Sequence, residues 1–145
     1  MRRSVSMFVA TLASVTSVAG FSEPKGVALG ESFQLRVGES ARIEAESLLL
    51  GFEEVSGDSR CPKGEQCIWE GDATVRVWLR KATETKERRE LHTAPNEEGE
   101  GSYLGYEVKL HRLDPYPISG KTIEQGDYQA TFEVTRGSSS SAPER

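Results

Sequence analysis

The sequence predicts an all-β protein, an antiparallel β-sandwich of about seven strands, with a small β-barrel as the alternative. Three observations carry this. Apolar residues recur at every second position in run after run. Clusters of Gly, Pro, Ser and Asp separate the runs. No segment carries a strong helical period.

Taken in order, Phe33, Leu35 and Val37 alternate with Gln34 and Arg36 and predict a first strand. Gly38-Glu39-Ser40 is a turn. Ala41, Ile43 and Ala45 alternate with Arg42, Glu44 and Glu46, and these two runs are expected to pair as a hairpin. Leu48, Leu50 and Phe52 continue as a third strand ending near Val55. Glu and Ala favour a helix over 41–50, but Gly51 and the sustained period of two argue against it. From Asp72 to Arg80, Ala73, Val75, Val77 and Leu79 alternate with Thr74, Arg76, Trp78 and Arg80, a long strand with one buried face. Trp78 falls between two arginines on the polar face. Packing under their stems accounts for it; a surface for a partner or a sugar is the other reading. Lys81–Glu90, charged with both signs, suits a hairpin tip or an exposed edge strand, and Leu91 anchors the return. The Pro95–Ser102 stretch is a loop carrying three glutamates.

Tyr106, Val108 and Leu110 mark the next strand, which Asp114-Pro115-Tyr116-Pro117 ends because proline cannot donate to a ladder. Ile118–Gly126 is a connection. Tyr128, Ala130, Phe132 and Val134 line one face of a last strand over Asp127–Thr135. Glu124-x-Gly126-x-Tyr128 resembles the tyrosine-corner approach of immunoglobulin-like domains, and the sandwich is expected to have that architecture. Ala130 stands where those domains place a cysteine, so their inter-sheet disulfide is absent.

At 145 residues the chain is one domain. Residues 1–20 contain Arg2 and Arg3, no acid, an apolar and small-residue run over Val5–Ala19, and Ser17-Val18-Ala19 as a small-x-small site; they read as a signal peptide. The run is too short and too polar for a membrane span. The domain is then 21–136, and the Ser-rich residues 137–145 read as a disordered tail. Removing 1–20 leaves 16 basic and 23 acidic residues, a net charge of 16 − 23 = −7. That disfavours nucleic acid and anionic membrane as partners.

The most informative stretch is Asp58–Leu79, with both cysteines and both tryptophans. Cys61 and Cys67 enclose Pro-Lys-Gly-Glu-Gln. This is neither the Cys-x2-Cys spacing of zinc ribbons and thioredoxin-like sites nor a set of four zinc ligands. In an exported chain the simple reading is a disulfide closing a tight ring, worth about 2.4 kcal/mol on chain entropy. Asp58-Ser59-Arg60-Cys61-Pro62 followed by Cys67-x-Trp69-x-Gly71 resembles the signature of small exported bacterial proteins and lipoproteins with no assigned activity. That family often has Trp-Ala-Gly where this chain has Trp69-Glu70-Gly71. The resemblance implies export and a β fold and supplies no catalytic residues.

No Gly-x-Ser-x-Gly, HExxH or phosphate-cradling glycine loop occurs. His92 and His111 sit on polar or charged segments, as solvated histidines do. The expectation is a non-enzymatic protein without a cofactor, a binding or accessory module for a protein or cell-envelope partner. Its contact surface is expected around Arg60, Lys63, Trp69 and Trp78. Asp58, Glu65, Glu70 and Asp72 suggest calcium as an alternative. Lys63 on a stapled loop suggests a trypsin-type protease inhibitor as a further one.

Overall fold

The computed structural model describes residues 22–94 and 101–137. The leader expected over 1–20, residues 95–100 of the acidic loop and the tail from 138 onward lie outside that range. Nine strands are found among the described residues: β1 (Lys25–Val27), β2 (Ser32–Arg36), β3 (Ser40–Ile43), β4 (Leu48–Asp58), β5 (Ala73–Lys81), β6 (Glu87–His92), β7 (Ser102–Tyr103), β8 (Tyr106–Asp114) and β9 (Gln129–Arg136). They form two sheets, ordered β1-β3-β4-β5-β6 and β2-β9-β8-β7. The sheets pack face to face as a sandwich, not a closed barrel. All pairings are antiparallel except β1 with β3.

The period-two pattern becomes the core. Leu48, Leu50, Phe52 and Val55 of β4 and Ala73, Val75, Val77 and Leu79 of β5 are buried on the inner face of the five-stranded sheet. Phe33, Leu35, Val108, Ala130, Phe132 and Val134 answer from the four-stranded sheet. Phe52 and Phe132 meet edge to face across the core with ring centroids 5.7 Å apart, close to the geometry aromatic pairs prefer.

The expected hairpin between the first two alternating runs does not form. β2 pairs with β9, and β3 pairs with β1 and β4. Each run buries one face, and alternation alone does not say against which sheet. Gly38 at φ 90° turns the chain across the sandwich, and its N–H donates to the Phe52 carbonyl, seating the turn on β4. The second run also stops early. Ala45 and Ser47 take φ of 65° and 51°, so Ala45 is exposed in the β3–β4 turn instead of facing the core.

The charged segment is both things expected of it: 82–86 is a hairpin tip and β6 an edge strand. β7 falls where a loop was expected. A two-residue turn, Leu104-Gly105 with φ of 43° and 81°, joins it to β8, the positive-φ pair that matches hairpin twist. β8 runs three residues beyond His111, through a register shift between Leu110 and Arg112. The last strand begins after a 3-10 turn, Gln125–Asp127. Tyr128 marks that start, but its hydroxyl donates to the Asp58 carboxylate, 3.0 Å away and 70 residues upstream. A tyrosine corner instead bonds the backbone a few residues back.

Candidate functional site

The cysteine ring is the tip of the β4–β5 hairpin. Beyond Asp58 the ladder continues irregularly: Ser59 N–H donates to the Asp72 carbonyl at 2.7 Å, and Cys61 N–H to the Glu70 carbonyl at 2.8 Å. The Ser59 hydroxyl adds a bond to the same Asp72 carbonyl. This close approach leaves no room at Gly71. A Cβ there would lie 1.8 Å from the Ser59 carbonyl oxygen, and its φ is +72°. Cys61 and Cys67 then close the tip as a disulfide with Cα atoms 5.9 Å apart.

Two sets of contacts tie this tip to the opposite sheet. The first is a buried clamp. Arg60 and Asp58 form a two-pronged ion pair, with Nε to Oδ1 at 2.8 Å and Nη2 to Oδ2 at 2.7 Å. Their side chains are 7% and 11% exposed. Arg60 Nη1 also donates to the Leu113 carbonyl at 2.7 Å and Nη2 to the Pro115 carbonyl at 3.0 Å. Burial by itself would raise the Asp58 pKa, but the Arg60 guanidinium outweighs it and holds the carboxyl below its ordinary value. Burial, helped by the bond to Asp58, pushes the Tyr128 phenol up to about 12.

The second set docks the ring on residues 116–119. The Tyr116 hydroxyl donates to the Cys61 carbonyl at 2.8 Å. Lys63 N–H donates to the Pro117 carbonyl, and its own carbonyl accepts from Ser119 N–H, an isolated bridge with Ile118. The Ser119 hydroxyl donates to Glu65 at 2.8 Å.

On this braced tip Ile68 is 93% exposed and Trp69 81% exposed. Tyr116 and Ile118, on the segment beneath, are exposed as well. Beside the tip lies an open cleft of about 410 Å³, walled by Arg60, Cys61, Glu70, Gly71, Tyr116 and residues 110–113 of β8. The end of the sandwich thus offers exposed Ile68 and Trp69 on a braced backbone next to an open cleft of mixed polar and apolar lining.

The expected contact residues divide. Trp69 and Lys63 are on the exposed tip, with the Lys63 ammonium 5.8 Å from the Tyr116 ring centre. Arg60 is largely buried as a brace, away from the exposed tip, and only its edge lines the cleft. Trp78 lies five residues into β5, beside Gly51 and Arg88. The cation over its ring is Lys86, at 4.1 Å, and not the flanking arginines.

The four acids are also dispersed in role. Asp58 belongs to the clamp and Glu65 accepts from Ser119. Asp72 accepts from Thr93 and from the Ala94 N–H, with His92 Nδ1 at 2.5 Å. Burial alone would raise the Asp72 pKa, but those bonds lower it below its ordinary value. Glu70 is exposed. Among the described residues no group of three or more His, Cys, Asp or Glu side chains is arranged to hold a metal ion. His111 is not merely solvated: Nε2 lies 2.6 Å from Glu133. Ile68, Tyr116 and Ile118 escaped the sequence reading. The exposed ones have no periodic signature, and the bridge to Lys63 joins segments 55 residues apart in sequence.

Set against protein-family profiles, curated proteins and solved structures, the chain matches none of them significantly. The candidate site therefore stands on its own geometry.

Proposed function

We propose that this protein is an exported, non-enzymatic accessory module of a bacterial cell envelope that grips a protein partner through the Cys61–Cys67 hairpin tip. The observation that carries this reading is the exposure of Ile68 and Trp69 on a backbone held by a disulfide, a ladder and the Arg60 clamp. A tryptophan in water gains about 3–5 kcal/mol when its face is covered, the scale of an interface hot spot. Fixing the tip beforehand removes the ordering cost that a loose loop would incur on binding. Export is supported by the leader-like residues 1–20 and by the disulfide, which persists in oxidising compartments. The DSRCP…CxWxG resemblance points the same way. The Lys63 backbone is engaged on both sides by Pro117 and Ser119, which does not favour the protease-inhibitor reading, because an inhibitory loop must offer its backbone to the protease.

The test is partner recovery from envelope fractions of the native host, using tagged wild type, Trp69→Ala and Trp78→Phe. A partner held by wild type and Trp78→Phe but lost by Trp69→Ala supports the tip. Equal recovery by wild type and Trp69→Ala removes it as the contact surface.

A further inference from the structure

The two arms of the cysteine ring are held unequally. The entering arm is tied down almost residue by residue. Ser59 and Cys61 donate their N–H groups to the Asp72 and Glu70 carbonyls. Arg60 is locked to Asp58, Leu113 and Pro115. The Cys61 carbonyl accepts from Tyr116, and Lys63 is bridged to Pro117 and Ser119 through its N–H and its carbonyl. The returning arm, residues 66–69, has none of this. Among the described residues no hydrogen bond, ion pair or ring contact reaches Gln66, Ile68 or Trp69, and Cys67 is joined to the fold by its disulfide alone.

Every residue from Lys63 to Gly71 is exposed, whereas Cys61 is half-buried. The arm that presents Ile68 and Trp69 therefore has one tether besides the chain itself, and that tether is open to attack at Cys67. Exposed disulfides are the labile ones, exchanging with dithiols that leave protected structural disulfides intact.

We infer that the Cys61–Cys67 bond is a site of thiol–disulfide exchange with a dithiol oxidoreductase, and that its redox state switches the tip between a fixed and a loose contact surface. In the reducing direction a thiolate of the dithiol attacks Cys67 Sγ, the bond between the two cysteines breaks, and Cys61 leaves as a thiolate that takes up a proton. The second sulfur of the dithiol then attacks the mixed disulfide and frees Cys67 in the same way. Both electrons come from the dithiol, which departs as a disulfide; a protein disulfide reverses the exchange and recloses the ring. In the open form the entering arm keeps its own bonds, while residues 66–69 regain conformational freedom. A partner must then order that arm and its two apolar side chains on binding. The switch rests on the tip being the contact surface; the exchange and the loosening do not.

The test treats the oxidised, folded protein with reduced thioredoxin or dithiothreitol, counts free thiols by alkylation and mass spectrometry, and measures backbone order by nitrogen-15 relaxation. Both reductants should open the bond without denaturant, and a single cooperative unfolding transition should persist. Order parameters at 66–69 should fall from about 0.8 to below about 0.6, with Cys61 and Lys63 unchanged. The inference is overturned if the bond resists until urea unfolds the domain, if residues 66–69 are equally ordered or equally loose in both forms, or if Cys61 and Lys63 loosen with them. The reduced form, alkylated to keep it open, should recover an envelope partner at least about tenfold less well than the oxidised form. Equal recovery overturns the switch. If the oxidised form holds no partner, the tip reading fails and the switch with it, while the exchange stands or falls on the thiol counts and order parameters, which involve no partner.

Discussion

Arg60 is the residue on which the site's geometry turns. It holds Asp58 with two bonds and the end of β8 with two more, all out of water. Truncating one member of a buried pair strands the other charge, so Arg60→Ala should lose about 3–5 kcal/mol in urea unfolding. Arg60→Lys keeps the charge but not the fork, and should recover only part of that loss. Asp58 and Tyr128 of this cluster, together with Asp72 beside Thr93, set a pH dependence at both ends of the scale. Asp58 and Asp72 titrate lower in the folded protein than their ordinary 3.8. Their contribution is therefore complete above about pH 3.8 and is lost as pH falls through the folded values. Tyr128 titrates higher than its ordinary 10.0, at about 12. Its contribution is complete below pH 10 and is lost between 10 and 12. Denaturant unfolding across that alkaline window should show a downward slope, and Tyr128→Phe should flatten it by up to about 1.4 kcal/mol per pH unit, the value of one proton. An unchanged slope in that variant would mean that Tyr128 titrates normally.

At the scale of the element, the β4–β5 hairpin and its ring form one long unit that was largely legible in the sequence. Alternation over Ala73–Leu79 gave the strand and its inner face, and the cysteine spacing gave the ring. Hidden from it were the contacts that lay the ring against residues 113–119, because they join side chains to distant carbonyls and leave no periodic trace. Pairing partners were hidden for the same reason. β2 and β3 each show one buried face, and nothing local told Phe33 from Ala41 as to which sheet it would join. β1 and β7, three and two residues long, are too short to show a period. Because the noncovalent brace is extensive, Cys61→Ser with Cys67→Ser should cost about 2–3 kcal/mol and leave a cooperative unfolding transition. A noncooperative transition would show that the clamp cannot hold the tip alone.

For the whole molecule, cohesion between the sheets rests on the apolar layer, with Phe52 against Phe132 at its centre. Phe52 is 1% exposed, and Phe52→Ala should cost about 3–5 kcal/mol, read as a fall in the denaturation midpoint. The polar clamp stitches one end of the sandwich but cannot replace that layer. Strand pairing also imposes an order on biogenesis. β3 to β6 meander, each strand meeting its neighbour as soon as it is made, whereas β2 must wait for β9; Gln34 and Gln129, bonded across that pair, are 95 residues apart. A chain emerging from its N-terminus therefore presents a half-built sandwich, with Phe52 and Leu50 uncovered, until β9 arrives. Among the described strands β9 is the one that shuts the core, so the inner face of the β3–β6 meander stays open to unwanted apolar contacts until β9 is in place.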